Sequence, residues 1–118
     1  SCIVFPANDK IFDCQSFKIS APGDYAIYTN SKDNLTIKNC NLINSGRGLN
    51  IEQTDNSTFE NINISNCYYG VVLSESHDNI LKRIRACSNY YDFFNSSLNS
   101  GNKGYNNTCD QRSNWYDA

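Results

Sequence analysis

No stretch of this sequence sustains helical i, i+3, i+4 periodicity for more than about two turns, so an α-helical fold is not expected. No apolar run is long enough to span a bilayer and no signal peptide is recognisable, and the abrupt start at Ser1-Cys2 is what is expected of a secreted chain after processing. Methionine is absent and histidine occurs once, at His77. With no paired CxxC motif, the usual ligand sets for zinc and copper are missing, and neither a metal nor a cofactor is expected. The net charge is −2, with acidic and basic residues interleaved. Nothing resembles a nucleic-acid footprint or a basic membrane-binding face, so neither nucleic acid nor direct membrane insertion is expected. An evident acidic cluster is also lacking, whereas glycoside hydrolysis needs two carboxylates flanking one bond. No catalytic residue is assigned, and the chain is not expected to be an enzyme.

What the sequence does have is a repeat. Gly48, Gly70 and Asp92 stand 22 residues apart, followed by Leu49-Asn50-Ile51, Val71-Val72-Leu73 and Phe93-Phe94-Asn95. Ala26 and Ile27-Tyr28-Thr29 lie one period earlier. Further columns run through Ile37, Phe59 and Leu81, then Cys40, Ile62 and Ile84, then Leu42, Ile64 and Ala86. Cys14, Phe17 and Ile19 fit the same three columns with a one-residue shift. In Asn61-Ile62-Asn63-Ile64-Ser65 the alternation has period 2, the signature of a strand with one buried face. Asn, Asp, Gly and Ser between the strands tolerate left-handed backbone at bends. The 19 asparagines and 14 serines therefore read as turns and outward ladders rather than as disorder. A fixed period of this size means that each repeat is one turn of a solenoid, its core completed only by stacking. A β-sandwich of irregular strands has no reason to repeat its columns in this way.

The expected fold is all-β: a parallel β-helix (β-solenoid) of four to five coils in one domain, residues 1–118. Residues 1–13 form an N-terminal segment, 14–100 the coils, and 101–118 a partial coil with an aromatic C-terminal segment. Repeated Asp33-Asn34, Asp55-Asn56 and Asp78-Asn79 pairs mark one bend. Stacked, their carboxylates make either a cation column or, more ordinarily, turns bonding their own backbone.

Six cysteines, an even number, read as a disulfide framework from an oxidising compartment. Cys87 and Cys109 are one period apart, within disulfide reach when stacked. Cys2 and Cys14 are candidates to tie the first segment down. Cys40 and Cys67 remain, five residues out of register. Cys40 is alternatively a buried thiol, and an intermolecular bond stays open. Asn-x-Ser/Thr triplets at Asn34, Asn56, Asn63, Asn95 and Asn106 mark glycosylation candidates, with N-glycans as covalent partners. Asn34 and Asn56 share one bend column and Asn63 points out, while the alternation turns Asn95 inward.

The stretch Asn34-Leu-Thr-Ile-Lys-Asn-Cys-Asn-Leu-Ile-Asn-Ser-Gly-Arg-Gly-Leu-Asn-Ile and its copy Asn61-Ile-Asn-Ile-Ser-Asn-Cys-Tyr-Tyr-Gly-Val-Val-Leu carry a likeness. Over about residues 14–100 the chain resembles the right-handed parallel β-helix repeat superfamily, including NosD-like proteins. The resemblance implies the fold. It implies function only broadly, since members include polysaccharide lyases and hydrolases as well as adhesin-like, sheath and surface-layer proteins, many of them archaeal. The chain is shorter than the enzymes and lacks their long loops.

Self-assembly is the leading expectation. Solenoid ends are open strand edges, and no amphipathic cap precedes Cys14. Outward Tyr28, Asn50, Val72 and Phe94 form one column, with Val72 and Phe94 expected as an exposed apolar pair. Beside it, Tyr68 over Tyr90 and Tyr69 over Tyr91 form an aromatic strip near a corner, with Arg47 one coil before Tyr69. Tyr28, Tyr69, Val72, Tyr91, Phe94, Trp115 and Tyr116 are the candidate interface residues. The expected protein is a secreted, cell-surface structural subunit of a filament, sheath or surface layer that assembles with itself. The alternative is a carbohydrate-binding adhesin using the tyrosine strip, and the third is a fragment of a polysaccharide-degrading enzyme.

Overall fold

In the computed structural model of the chain, which describes residues 1–96 and 98–109 and the backbone of 112–113, the repeat columns stack one above another. Among the described residues the strands are β1 (Ile3–Val4), β2 (Ile11–Asp13), β3 (Lys18–Ser20), β4 (Tyr25–Asn30), β5 (Thr36–Ile43) and β6 (Arg47–Glu52). They continue as β7 (Thr58–Ser65), β8 (Tyr69–Ser74), β9 (Ile80–Ala86), β10 (Tyr91–Asn95), β11 (Lys103–Tyr105) and β12 (Arg112–Ser113). Every pairing is parallel and joins a strand to its counterpart one coil away. One sheet runs β1-β4-β6-β8-β10-β12. The second runs β11-β9-β7-β5, with β2 and β3 both on the far edge of β5. Single bridges Asp33↔Asp55↔His77↔Ser100 continue the stack along one corner. The architecture is a parallel β-solenoid of about five coils, measuring 28 × 27 × 23 Å.

The inward columns make one continuous core. Ile37, Phe59 and Leu81 are fully buried, as are Ile62, Ile84, Leu49, Val71 and Phe93. In the second sheet two inward residues are three apart, not two, because a left-handed residue stands between them. That column is Asn39, Asn61, Arg83 and Asn106, with φ of 58°, 53°, 53° and 54°. Asn34, Asn56, Asp78 and Gly101 form another such column, at 56°, 52°, 57° and 71°. Asparagine adopts this backbone more readily than most L-residues, which accounts for its abundance at the bends.

Buried corners leave backbone N–H groups with no strand to pair with, and the next coil supplies the acceptor. Ser57 Oγ accepts from Leu35 N at 2.9 Å, Asn79 Oδ1 from Ser57 N at 3.0 Å, and Asn102 Oδ1 from Asn79 N at 3.0 Å. Ser76 Oγ and Asn99 Oδ1 do the same for Thr54 N and Ser76 N. At the opposite corner Asn89 Oδ1 accepts from Cys67 N at 2.9 Å. Asp92, at the glycine position, accepts in turn from the backbone N–H and the side-chain amide of Asn89, each at 3.0 Å.

Several expectations change. Residues 3–13, expected as a lead-in, supply β1 and β2 of the first coil. Phe12, not Cys14, stands beside Ile37, and Cys14 instead meets Cys40. The loop Gln15–Phe17 makes this coil longer, so Phe17 leaves the core and is exposed. Cys14 is therefore bonded to Cys40, with Cα atoms 4.9 Å apart, and not to Cys2. Neither a Cys40–Cys67 bond nor a free Cys40 thiol is present. Cys87 is bonded to Cys109, with Cα atoms 5.2 Å apart. Cys2 is free and exposed, and Cys67 is free and buried, where desolvation raises its thiol pKa. Two disulfides fit an oxidising environment. Among the described residues no helix is long and apolar enough to cross a membrane.

Gly48 has an ordinary φ but no room. A Cβ there would lie 2.4 Å from Ile64 Cγ2 and 2.9 Å from the carbonyl oxygen of Gly70. Gly48→Ala is expected to destabilise the fold by about 1–3 kcal/mol through overpacking. Urea unfolding followed by circular dichroism checks this, and an unchanged midpoint would show that the coils relax freely.

Candidate interaction surface

Two columns carry the aromatic part of the outer wall of the first sheet, beside a third of Asn30, Glu52 and Ser74. One holds Tyr25, Arg47, Tyr69 and Tyr91, and the other Tyr28, Asn50, Val72 and Phe94. Because strands in a parallel stack lie about 4.8 Å apart, flat side chains in one column can stack along the solenoid axis. Tyr69 and Tyr91 do so, with centroids 5.3 Å apart and planes 14° apart. The Arg47 guanidinium lies 5.2 Å from the Tyr25 ring centre and 5.3 Å from that of Tyr69, a cation held between two π faces. At the neighbouring corner Tyr68 stacks on Tyr90 at 4.8 Å and 8°. The two tyrosine columns meet edge to face, Tyr68 with Tyr69 at 4.9 Å and Tyr90 with Tyr91 at 4.8 Å.

The first column covers the second. The Arg47 guanidinium donates to Asn50 Oδ1 at 2.6 Å, and the Tyr69 and Tyr91 rings contact Phe94 at 5.4 and 6.0 Å. Val72, expected as exposed, is therefore only 4% exposed, and Asn50 1%. Tyr28 and Phe94 are half-buried. The outermost aromatic surface belongs to Tyr68 and Tyr90, 52% and 62% exposed. Trp115 and Tyr116 lie outside the described residues. Tyr25 was missed as a wall residue although it stands 22 residues before Arg47, so the same column spacing pointed to it.

The axial stacking decides what these rings offer. Tyr69 is sandwiched between Arg47 and Tyr91, whereas Tyr68 has Tyr90 on one side and Gly46, with no side chain, one coil before it. The centre of the wall therefore offers little open aromatic face, and the exposed ring surface is at the Tyr68–Tyr90 corner.

The other candidate residues fall on other faces. Asn34 and Asn56 are exposed at the corner of bridges, and Asn63 and Asn106 are exposed on the second sheet. The Asn63 amide donates to Asn41 Oδ1 at 3.1 Å and the Asn34 amide to Asp9 Oδ1 at 2.9 Å. Asn95 pairs with Leu73 in the inward column, and its Oδ1 accepts from Asn99 at 2.6 Å. The expected Asp33, Asp55, Asp78 column does not form. His77 occupies the third place beside Asp55, and Asp78 falls in the column of Asn56. Asp55 Oδ1 accepts from the backbone N–H of His77 at 2.8 Å, so it caps the next coil rather than its own turn. Among the described residues no three His, Cys, Asp or Glu side chains cluster to hold a metal ion.

Tyr28 donates to Glu52 Oε2 at 2.8 Å, one coil on. Desolvation first, then this bond and the carboxylate charge, push its phenol pKa up to about 12. The folded value exceeds the unfolded one, so the stabilisation linked to Tyr28 is complete below about pH 10 and lost as pH rises toward about 12. Tyrosinate absorbance should show two tyrosines ionising late, Tyr28 and Tyr68, the latter raised by desolvation and then by its tyrosine neighbours, and the later step should disappear in Tyr28→Phe. Its persistence in that variant would assign the shift to another tyrosine.

A family model described as the right-handed beta helix region matches residues 2–114. No curated protein and no solved structure matches the chain. The parallel coils, the columns one period apart and this match over most of the sequence place the chain in the right-handed β-helix family.

Proposed function

We propose that the protein is a structural building block of the cell exterior that joins to other copies through the end formed by β1, β2 and β3. The observation that carries this reading is an unfinished layer of core. Ile3, Phe12 and Ile19 pack on the buried cluster yet are only partly buried, and Val4, Ile11 and Phe17 on the same coil are 58%, 74% and 72% exposed. The last described coil is unlike it, placing Gly104 and Asn107 in the inward columns. Apolar surface of this kind gains most from a further β-layer, and strand edges supply the backbone partners. The two disulfides support an oxidising, extracellular setting, and secretion is part of the proposal. The fold itself serves enzymes and non-enzymes alike.

A second reading, a carbohydrate-binding module, rests on the exposure of Tyr68 and Tyr90. Sugar rings stack on open aromatic faces, and here each of the two corner rings gives one face to the other, which leaves less ring surface than two free tyrosines, so this reading ranks below the first. Glycan-array binding lost in Tyr90→Ala with the coils intact would reverse that order.

Negative-stain microscopy and sedimentation of the purified chain test the first reading. Linked particles are expected, resolved into separate ones by Ile11→Lys with Phe17→Lys, both exposed positions. Assembly indifferent to that pair, or none at high concentration, would sink it.

A further inference from the structure

The two outer faces of the solenoid differ in kind. The second sheet presents Lys38, Glu60, Lys82, Arg85 and Lys103, with Glu60 bridged to Lys82 at 3.3 Å and to Arg83 at 3.1 Å. The wall of the first sheet carries, among the described residues of its strands, one outward cation and one outward anion, Arg47 and Glu52. Both are engaged within the wall, Arg47 with Asn50 and two rings, and Glu52 with the Tyr28 hydroxyl. The Asn-x-Ser/Thr triplets divide the same way. Asn34, Asn56, Asn63 and Asn106 lie on the bridged corner and the second sheet, while Asn95 has its side chain bonded inside. A glycan on any of those four leaves the first-sheet wall uncovered.

We propose that this wall, with the Tyr68–Tyr90 corner, is a lateral contact between two copies of this chain related by a two-fold axis. A two-fold contact sets a patch against itself, so a face with net charge repels its own copy. Among the described residues of its strands this wall nets to zero. Tyrosine hydroxyls both donate and accept, so identical rows of outward hydroxyls can bond each other. The rings are already fixed by stacking, which lowers the ordering cost of docking, and tyrosine and arginine are types enriched at interfaces. Three six-residue strands, β4, β6 and β8, and the five-residue β10 make a wall about 20 Å by about 19 Å, on the order of 380 Å² a side before the Tyr68–Tyr90 corner is added. That is below the size of a standard specific interface and in the range of weak, transient contacts, so the dimer is reversible and concentration-dependent. The proposal does not rest on the end-to-end reading, because it uses a different face.

Sedimentation equilibrium over a concentration series tests it, in a chain carrying Ile11→Lys and Phe17→Lys so that the end contact does not contribute. That chain is expected to dimerise, and to do so in high salt as well as low, since the contact is charge-poor. Tyr90→Lys, at an exposed position, and Phe94→Lys are each expected to raise the dissociation constant by about tenfold or more. Circular dichroism of each variant shows whether its coils are intact. Arg85→Glu with Lys103→Glu on the second sheet should leave that constant within about twofold. Finding the doubly substituted chain monomeric at every concentration overturns the proposal. So does a dimer that tolerates Tyr90→Lys, or one dissolved by salt or by the second-sheet reversal.

Discussion

A backbone N–H turned into the interior at a corner has no strand to pair with, and leaving it bare costs about 1–3 kcal/mol. In this solenoid the acceptor comes from the following coil. The column Leu35, Ser57, Asn79, Asn102 repeats the device three times, and Thr54, Ser76, Asn99 twice. Each coil is thus incomplete until the next is in place. Stability then belongs to neighbouring pairs of coils rather than to single ones, as in other quasi-one-dimensional repeat folds. The same bonds fix the register, because a one-residue slip would remove every cap and turn the core columns outward.

With the corners fixed, the walls follow. Stacked strands place like positions at a constant spacing, so a favourable side-chain pair can recur. Arg47 between Tyr25 and Tyr69, Tyr69 on Tyr91, and Asn61 donating to Asn39 are all products of that spacing. Such ladders brace the coils first and offer a surface second. The tyrosines that brace most, Tyr69 and Tyr91, are half-buried, and those at the corner, Tyr68 and Tyr90, are the most open. The functional readings therefore rest on extended surfaces, an apolar end and a neutral aromatic wall, rather than on a pocket of reactive groups.

The core was legible in the sequence because burial repeats one chemistry at one interval. Ile37, Phe59 and Leu81 need only be apolar and 22 residues apart to be recognised. Where the chain gains residues, the interval misleads. The longer first coil moved Phe12 into the column given to Cys14, and with it the disulfide to Cys40. The Asp-Asn pairs looked like one column because Asp78-Asn79 copies Asp55-Asn56, yet the bridge to Asp55 is made by His77. Outward positions were the least legible. Alternation says that Val72 faces away from the core, but not that Tyr69 and Phe94 close over it. That depends on side-chain length and direction in the neighbouring column, which a period does not encode.

Native-state amide hydrogen exchange reads the corner bonds directly. If coil-to-coil capping holds the stack together, the amides of Ser57, Cys67 and Ser76 exchange only through global unfolding, as slowly as those of Phe59 and Ile62 in β7. Exchange at the rate of solvent-exposed loop amides, with the strand amides still protected, would contradict that dependence.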